Sequence, residues 1–289
     1  MAYRIFTVDE DGFLAYMILP EQRAKLAVIM MFDGDVQLPA TDIVREMSNQ
    51  GYIGVYLPLY GGKGQPRTPN CIPLEYVEMA VSYLRHRLNV EKIVLYGMGL
   101  GSIFACYGAY YLENIEGVVL VSPTHVNYSG MGSRRRQTGH SLVTYKGEEL
   151  PYLTVDFKIG RQYDAFNSAY WHYNEEEIAL LPIGQLKTQL LILASDSDEI
   201  WPAAYSLKKM EYQLKDNLYP YPYQTHIFHN ASHYIGIFPD TSDIRRYLRL
   251  QTVTSGMERR YRTACRKARI ASTEMILNFL SGIVEDTAE

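Results

Sequence analysis

The sequence predicts an α/β fold: a mainly parallel sheet with helices on both faces and an antiparallel hairpin at its N-terminal edge. Three observations predict it. Short apolar runs without polar alternation recur at residues 26–32, 53–57, 93–96, 118–121 and 190–194, and such runs suit strands buried on both faces. Helical patterns lie between them, and alternation of strand and helix implies parallel pairing through crossovers. The run at 93–96 ends in Gly97-Met98-Gly99-Leu100-Gly101-Ser102, a glycine-rich turn of the kind that joins a strand sharply to a helix.

The elements follow in order. Residues 3–8 and 13–19 alternate around Asp11-Gly12, which reads as the opening hairpin. A helix is expected over 41–49, stopped by Gly51, and another over 73–88, where Val77, Ala80, Val81, Leu84 and Leu88 repeat at helical spacing. Residues 127–187 break the rhythm with Gly130, Gly132, the basic run Arg134-Arg135-Arg136 and a tyrosine-rich stretch from Tyr163 to Tyr173. They are expected to form an excursion over the carboxyl edge of the sheet. A helix over 203–214, a strand over 224–228 and one long helix over 257–281 complete the chain, which reads as one domain over 1–289.

Composition narrows the function classes. The 289 residues are 47% hydrophobic and 21% charged, enough apolar surface to offset the ordering entropy of a globular chain. A net charge of -4 lacks the basic excess that neutralises nucleic-acid phosphates. No apolar run approaches the length of a membrane span, and no leader pattern opens the chain, so a soluble, cytoplasmic protein is expected. Cys71, Cys106 and Cys265 show neither metal-ligand nor redox spacing, and their odd number argues against a disulfide framework. No metal and no cofactor are expected.

The glycine-rich turn has two readings. The dinucleotide fingerprint G-x-G-x-x-G begins at Gly97-Met98-Gly99, but the third glycine, Gly101, falls one place early, and the motif belongs on a first strand. The nucleophile elbow G-x-S-x-G fits better, with Gly97 and Gly101 in its flanking positions. Its middle position, which carries the attacking side chain, is Gly99. An elbow requires an acid after a later strand and then a histidine after the last one. The run at 190–194 leads into Ser195-Asp196-Ser197-Asp198-Glu199, and the strand at 224–228 leads into His229-Asn230-Ala231-Ser232-His233. The set implies an α/β-hydrolase fold lacking its nucleophile.

The chain further resembles the acyl-CoA thioesterase and bile acid-CoA:amino acid N-acyltransferase family in its catalytic domain. The likeness rests on Ile72-Pro73-Leu74-Glu75-Tyr76 and the helix after it, on Tyr145-Lys146-Gly147-Glu148-Glu149-Leu150-Pro151, on the Asp198 loop with Trp201, and on Ser232-His233-Tyr234-Ile235. It spans roughly residues 25–280. By resemblance, Asp198 is the triad acid, His233 the base, and Gly99 stands where relatives carry serine or cysteine. The oxyanion donors implied are the backbone N–H of Leu100 and one from the loop after the 26–32 strand, Phe32 or Asp33. The implied ligand is an acyl ester or thioester, acyl-CoA included. The β-sandwich that precedes this domain in animal members has only the hairpin in its place, which implies a single-domain form.

Three readings of Gly99 stay open on sequence alone: a hydrolase with its nucleophile replaced, a pseudoenzyme binding an acyl ligand or protein, or an enzyme in which water or a substrate hydroxyl fills the space and His233 acts as general base. Ser102 is read as bonding the first helical turn. Arg134, Arg135 and Arg136 read as a solvated loop rather than a coenzyme A phosphate site. The spacing of His229 and His233 falls across a strand-to-loop junction and makes no helical metal pair.

Overall fold

The structure is a computed structural model that describes residues 2–22, 24–34, 38–158, 161–170 and 177–285. Strand β1 (Ala2–Phe6) and β2 (Ala15–Leu19) pair antiparallel as expected, but a helical turn, α1 (Val8–Asp11), joins them instead of a two-residue turn. Thr7 caps that turn by accepting the Glu10 N–H, and Gly12 closes it at φ +82°. The classical rhythm then runs β3 (Leu26–Met31), α2 (Ala40–Asn49), β4 (Ile53–Tyr56), the short β5 (Ile72–Pro73), α3 (Glu75–Leu88), β6 (Lys92–Met98), α4 (Gly101–Tyr111) and β7 (Gly117–Val121).

The main sheet has eight strands in the order β1-β2-β4-β3-β6-β7-β12-β13, where β12 is Gln189–Ser195 and β13 Tyr223–Phe228. All pairings from β4 to β13 are parallel, and the two N-terminal ones are antiparallel. Because side chains alternate across a strand, each apolar run feeds two cores. Ile29, Met31, Leu95, Leu120 and Ile192 pack with Val77, Ala80, Ile103 and Leu207 on one face. Val28, Met30, Val94, Val119 and Leu191 pack with Ile43, Val44, Met47, Ile276 and Phe279 on the other. Burial on both faces is why these strands carry no polar alternation.

The excursion at 127–187 contains β8 (Ser129–Gly132) paired with β9 (Arg136–Ser141), and a small sheet in which β10 (Val143–Tyr145) lies between β5 and β11 (Glu148–Glu149). Helix α5 (Gln162–Ala169) follows. Within the basic run, Arg134 and Arg136 are exposed. The end of the tyrosine-rich stretch, residues 171–173, lies outside the described residues.

The C-terminal region departs most from expectation. Three helices close the described chain, Ser242–Thr254, Gly256–Arg260 and Arg262–Glu285, the last two standing where one helix over 257–281 was expected. The first was missed although its signals are ordinary, since Thr241 caps it by accepting the Ile244 N–H and Ile244 and Tyr247 bury one face. Ser255 caps the second helix by accepting the Glu258 N–H.

Glu258 and Arg269 form a buried ion pair at 2.6 Å that also binds the Ser232 hydroxyl and the Tyr234 carbonyl. This network fastens the last helices to the loop after β13. Breaking a buried pair from one side leaves an uncompensated charge, so Glu258→Ala is expected to lower unfolding free energy by about 3–5 kcal/mol, measured by urea denaturation. A loss below about 1 kcal/mol would mean that the pair behaves like an exposed one.

Candidate active site

The site forms where β3, β6, β7, β12 and β13 end at the carboxyl edge of the sheet, the usual place for ligands in α/β folds. Between β6 and α4 the chain reverses at Gly99, with φ +58°. That left-handed conformation is strained for a side-chain-bearing residue, by about 1–3 kcal/mol. Gly101 is demanded by proximity, because a Cβ there would lie 2.1 Å from the Met31 carbonyl oxygen. Ser102 is fully buried, with its hydroxyl donating to the Gly99 carbonyl at 2.7 Å.

Asp198 and His233 meet. Asp198 is held by the N–H groups of Ile200 and Trp201 on its Oδ1, at 2.8 and 3.3 Å, and its Oδ2 lies 2.7 Å from His233 Nδ1. The backbone of His233 is anchored by the Ser122 hydroxyl, which donates to its carbonyl at 2.8 Å. Trp201 packs edge-on against the imidazole and donates its indole N–H to the Ser122 carbonyl. The other acid–histidine pair of this region, Asp196 with His229 at 2.7 Å, is at the surface.

The other side of His233 holds what sequence reasoning missed. Asp33, expected only as a source of a backbone N–H, places its carboxylate in the site: Oδ2 lies 2.8 Å from His233 Nε2, and Oδ1 accepts the Leu100 N–H at 2.6 Å. A Cβ added at Gly99 would lie 1.7 Å from Asp33 Oδ1 and 2.4 Å from Oδ2. The carboxylate therefore fills the volume that a side chain at position 99 would take, and it occupies the Leu100 amide expected to hold an oxyanion. The signal was present in the sequence as an acidic residue directly after β3 combined with a glycine at position 99. Only the fold shows that the two meet.

His233 is thus a buried imidazole between two carboxylates. Burial pulls its pKa down, but the charges of Asp198 and Asp33 and their hydrogen bonds outweigh that and push it up to about 10. Its resting form at neutral pH is the imidazolium.

Asp33 and His233 lie on a cavity of about 260 Å³ whose walls include Phe32, Tyr128, Phe157, Phe166, Trp201 and Tyr247. Among the described residues lining it, they are its ionisable groups apart from four tyrosines. Elsewhere the fold gathers Cys71, His140 and Glu149, whose ligand atoms lie within 4.8 Å of one another although linear spacing gave no hint of it. These residue types suit zinc, and none lines the cavity.

Comparison with known proteins agrees with this architecture. Residues 72–268, about two thirds of the chain, match the family described as BAAT / acyl-CoA thioester hydrolase C terminal. The chain belongs to that family. Among curated relatives it is 26% identical over 158 residues to the peroxisomal succinyl-coenzyme A thioesterase of Mus musculus, covering 54% of this chain and 36% of the relative. It is 23% identical over 169 residues to acyl-coenzyme A thioesterase 1 of Homo sapiens, covering 55% and 37%. The match thus spans little more than a third of these relatives. Among solved structures, a sugar hydrolase from Lactococcus lactis superposes with a TM-score of 0.56 at 16% identity, covering 91% of this chain and 100% of the other. The esterase domain of a Rhodothermus marinus protein gives 0.51 at 11% identity, covering 94% and 97%. The chain has the α/β-hydrolase fold.

Because the folded His233 holds its proton far above the ordinary histidine value, the sign of the pH effect on stability follows. The pairing contributes fully below about pH 6.5, where folded and unfolded chains are both protonated, and is lost as pH rises toward about 10. Urea denaturation at about pH 6 and about pH 9 is expected to show lower stability at the higher pH, and Asp33→Asn is expected to flatten the difference. An NMR titration placing the His233 midpoint near 6.5 would overturn the assignment.

Proposed function

We propose that this protein cleaves or transfers acyl groups held as esters or thioesters, acyl-CoA included, at the site formed by His233, Asp198 and the Leu100 N–H. One observation carries the reading. A carboxyl group, that of Asp33, already sits with one oxygen on the Leu100 amide and the other on His233 Nε2. An amide at a strand-to-helix turn and a histidine backed by a buried acid are groups that acyl transfer uses, and the carboxylate brings them together at the edge of one cavity. The aromatic cavity beside it suits an apolar acyl chain. Family membership supports the same substrate class, since the relatives named above are acyl-CoA thioesterases.

Asp198 holds the imidazole in register, and the strand-to-helix turn at Gly99 supplies the Leu100 amide as the elbow does in active relatives. Glycine itself supplies no attacking atom. That absence favours a second reading, in which the cavity binds an acyl ligand without turning it over.

Hydrolysis of acyl-CoA thioesters and p-nitrophenyl esters, followed for the native protein and for His233→Ala, separates the two. Turnover reduced about 10²–10⁴-fold by the substitution is the expected result. Saturable binding of the thioester with no turnover in either protein would establish the binding role instead.

Restoring a nucleophile should be a two-residue problem. Gly99→Ser alone drives its Cβ into Asp33 at a strained φ. The single variant is therefore expected to lose stability by about 1–3 kcal/mol and to gain no serine-dependent activity. Gly99→Ser combined with Asp33→Gly should form a covalent acyl-serine with a p-nitrophenyl ester, visible by intact mass. Labelling of the single variant to the same extent would show that the two positions are not coupled.

A further inference from the structure

We propose that Asp33 is the nucleophile of this site, attacking the acyl carbon through its carboxylate from the loop after β3 in place of a side chain at position 99. The inference rests on the acyl-transfer reading above and names the attacking atom which that reading leaves open.

Four observations support it. Both Asp33 oxygens lie within 2.4 Å of where a Cβ of residue 99 would be, so a carboxylate takes up the volume of a nucleophile's side chain. The side chain is 27% exposed and borders the cavity, so a substrate can reach it. Its own backbone is held, with Tyr60 donating its hydroxyl to the Asp33 carbonyl at 2.8 Å. The two oxygens have different partners, Leu100 N–H on Oδ1 and His233 on Oδ2, which divides the labour between them.

The chemistry balances with no other reactant than water. A lone pair of Asp33 Oδ2 bonds to the thioester carbonyl carbon, the C–S bond breaks, and the departing thiolate takes the proton of His233 Nε2. The product is a mixed anhydride between Asp33 and the acyl group. Acylation removes the negative charge of Asp33, one of the two that hold His233 protonated, so the imidazole is a base when water arrives. Water attacks Asp33 Cγ, giving one proton to His233, and the charge that develops on Oδ1 rests on the Leu100 N–H. Collapse breaks the Cγ–Oδ2 bond, releases the acid as its carboxylate, and frees the second proton as Asp33 ionises. The Leu100 amide is bonded to the Asp33 oxygen, so it polarises Cγ rather than the acyl carbon. The order of events explains why a site built around an imidazolium can still deliver base catalysis.

The test is a single turnover of decanoyl-CoA by excess native protein in heavy-oxygen water, with the protein then digested and the peptide carrying Asp33 weighed. The expected result is one heavy oxygen in Asp33 and none in the first-turnover decanoate. A control incubated without decanoyl-CoA should stay unlabelled. Label in decanoate with Asp33 unlabelled, turnover being intact, would overturn Asp33 as nucleophile while leaving acyl hydrolysis standing. Absence of turnover on acyl-CoA and p-nitrophenyl esters alike would overturn both. Asp33→Ala is expected to lose activity by on the order of 10⁴-fold or more, the scale of removing a nucleophile, with its circular dichroism unchanged. Retention of a tenth or more of the native rate by that variant would also overturn the proposal.

Discussion

A doubly charged grip on one buried imidazole organises this end of the molecule. His233, 2% exposed, is bonded by Asp198 through Nδ1 and by Asp33 through Nε2, with Asp198 itself 1% exposed. Isolated charges are costly in such surroundings, and the arrangement persists because each partner is satisfied from several directions. Ile200 and Trp201 bond Asp198, Leu100 bonds Asp33, and Ser122 bonds the His233 backbone. Every strand end around the site contributes a piece, so the position of the histidine depends on the register of the whole parallel sheet.

The glycine at position 99 takes its meaning from that grip. The turn at Gly99 has a left-handed backbone and offers the Leu100 amide but no side chain. The volume that a side chain at 99 would take is filled by Asp33, whose carboxylate reaches it from another strand end. Gly99 and Asp33 are therefore one feature. A side chain at 99 and the observed Asp33 rotamer exclude each other.

The C-terminal helices have a supporting role that the excursion over the sheet does not share. The buried Glu258–Arg269 pair reaches Ser232 and Tyr234 on either side of His233, coupling the position of the base to the packing of the last helix. The excursion instead supplies walls: Tyr128, Phe157 and Phe166 line the cavity, giving it an apolar interior next to its one charged corner.

The sequence by itself determined the order of the main-sheet strands, the sharp turn at Gly99 and an acid and then a histidine after later strands, because each is written in local patterns such as apolar runs and glycines at close approaches; the choice of Asp198 and His233 within those segments came from the family resemblance. The family resemblance on the 72–76 and 145–151 segments was legible for the same reason. It missed the helix at 242–254 and merged the last two helices into one, although Thr241 and Ser255 are cap residues legible in the sequence. Only the tertiary structure decided the content of the site. Asp33 and His233 are 200 positions apart, and no spacing rule joins them; the parallel sheet brings the ends of β3 and β13 to one edge, and burial there turns two distant carboxylates and an imidazole into a single charged unit.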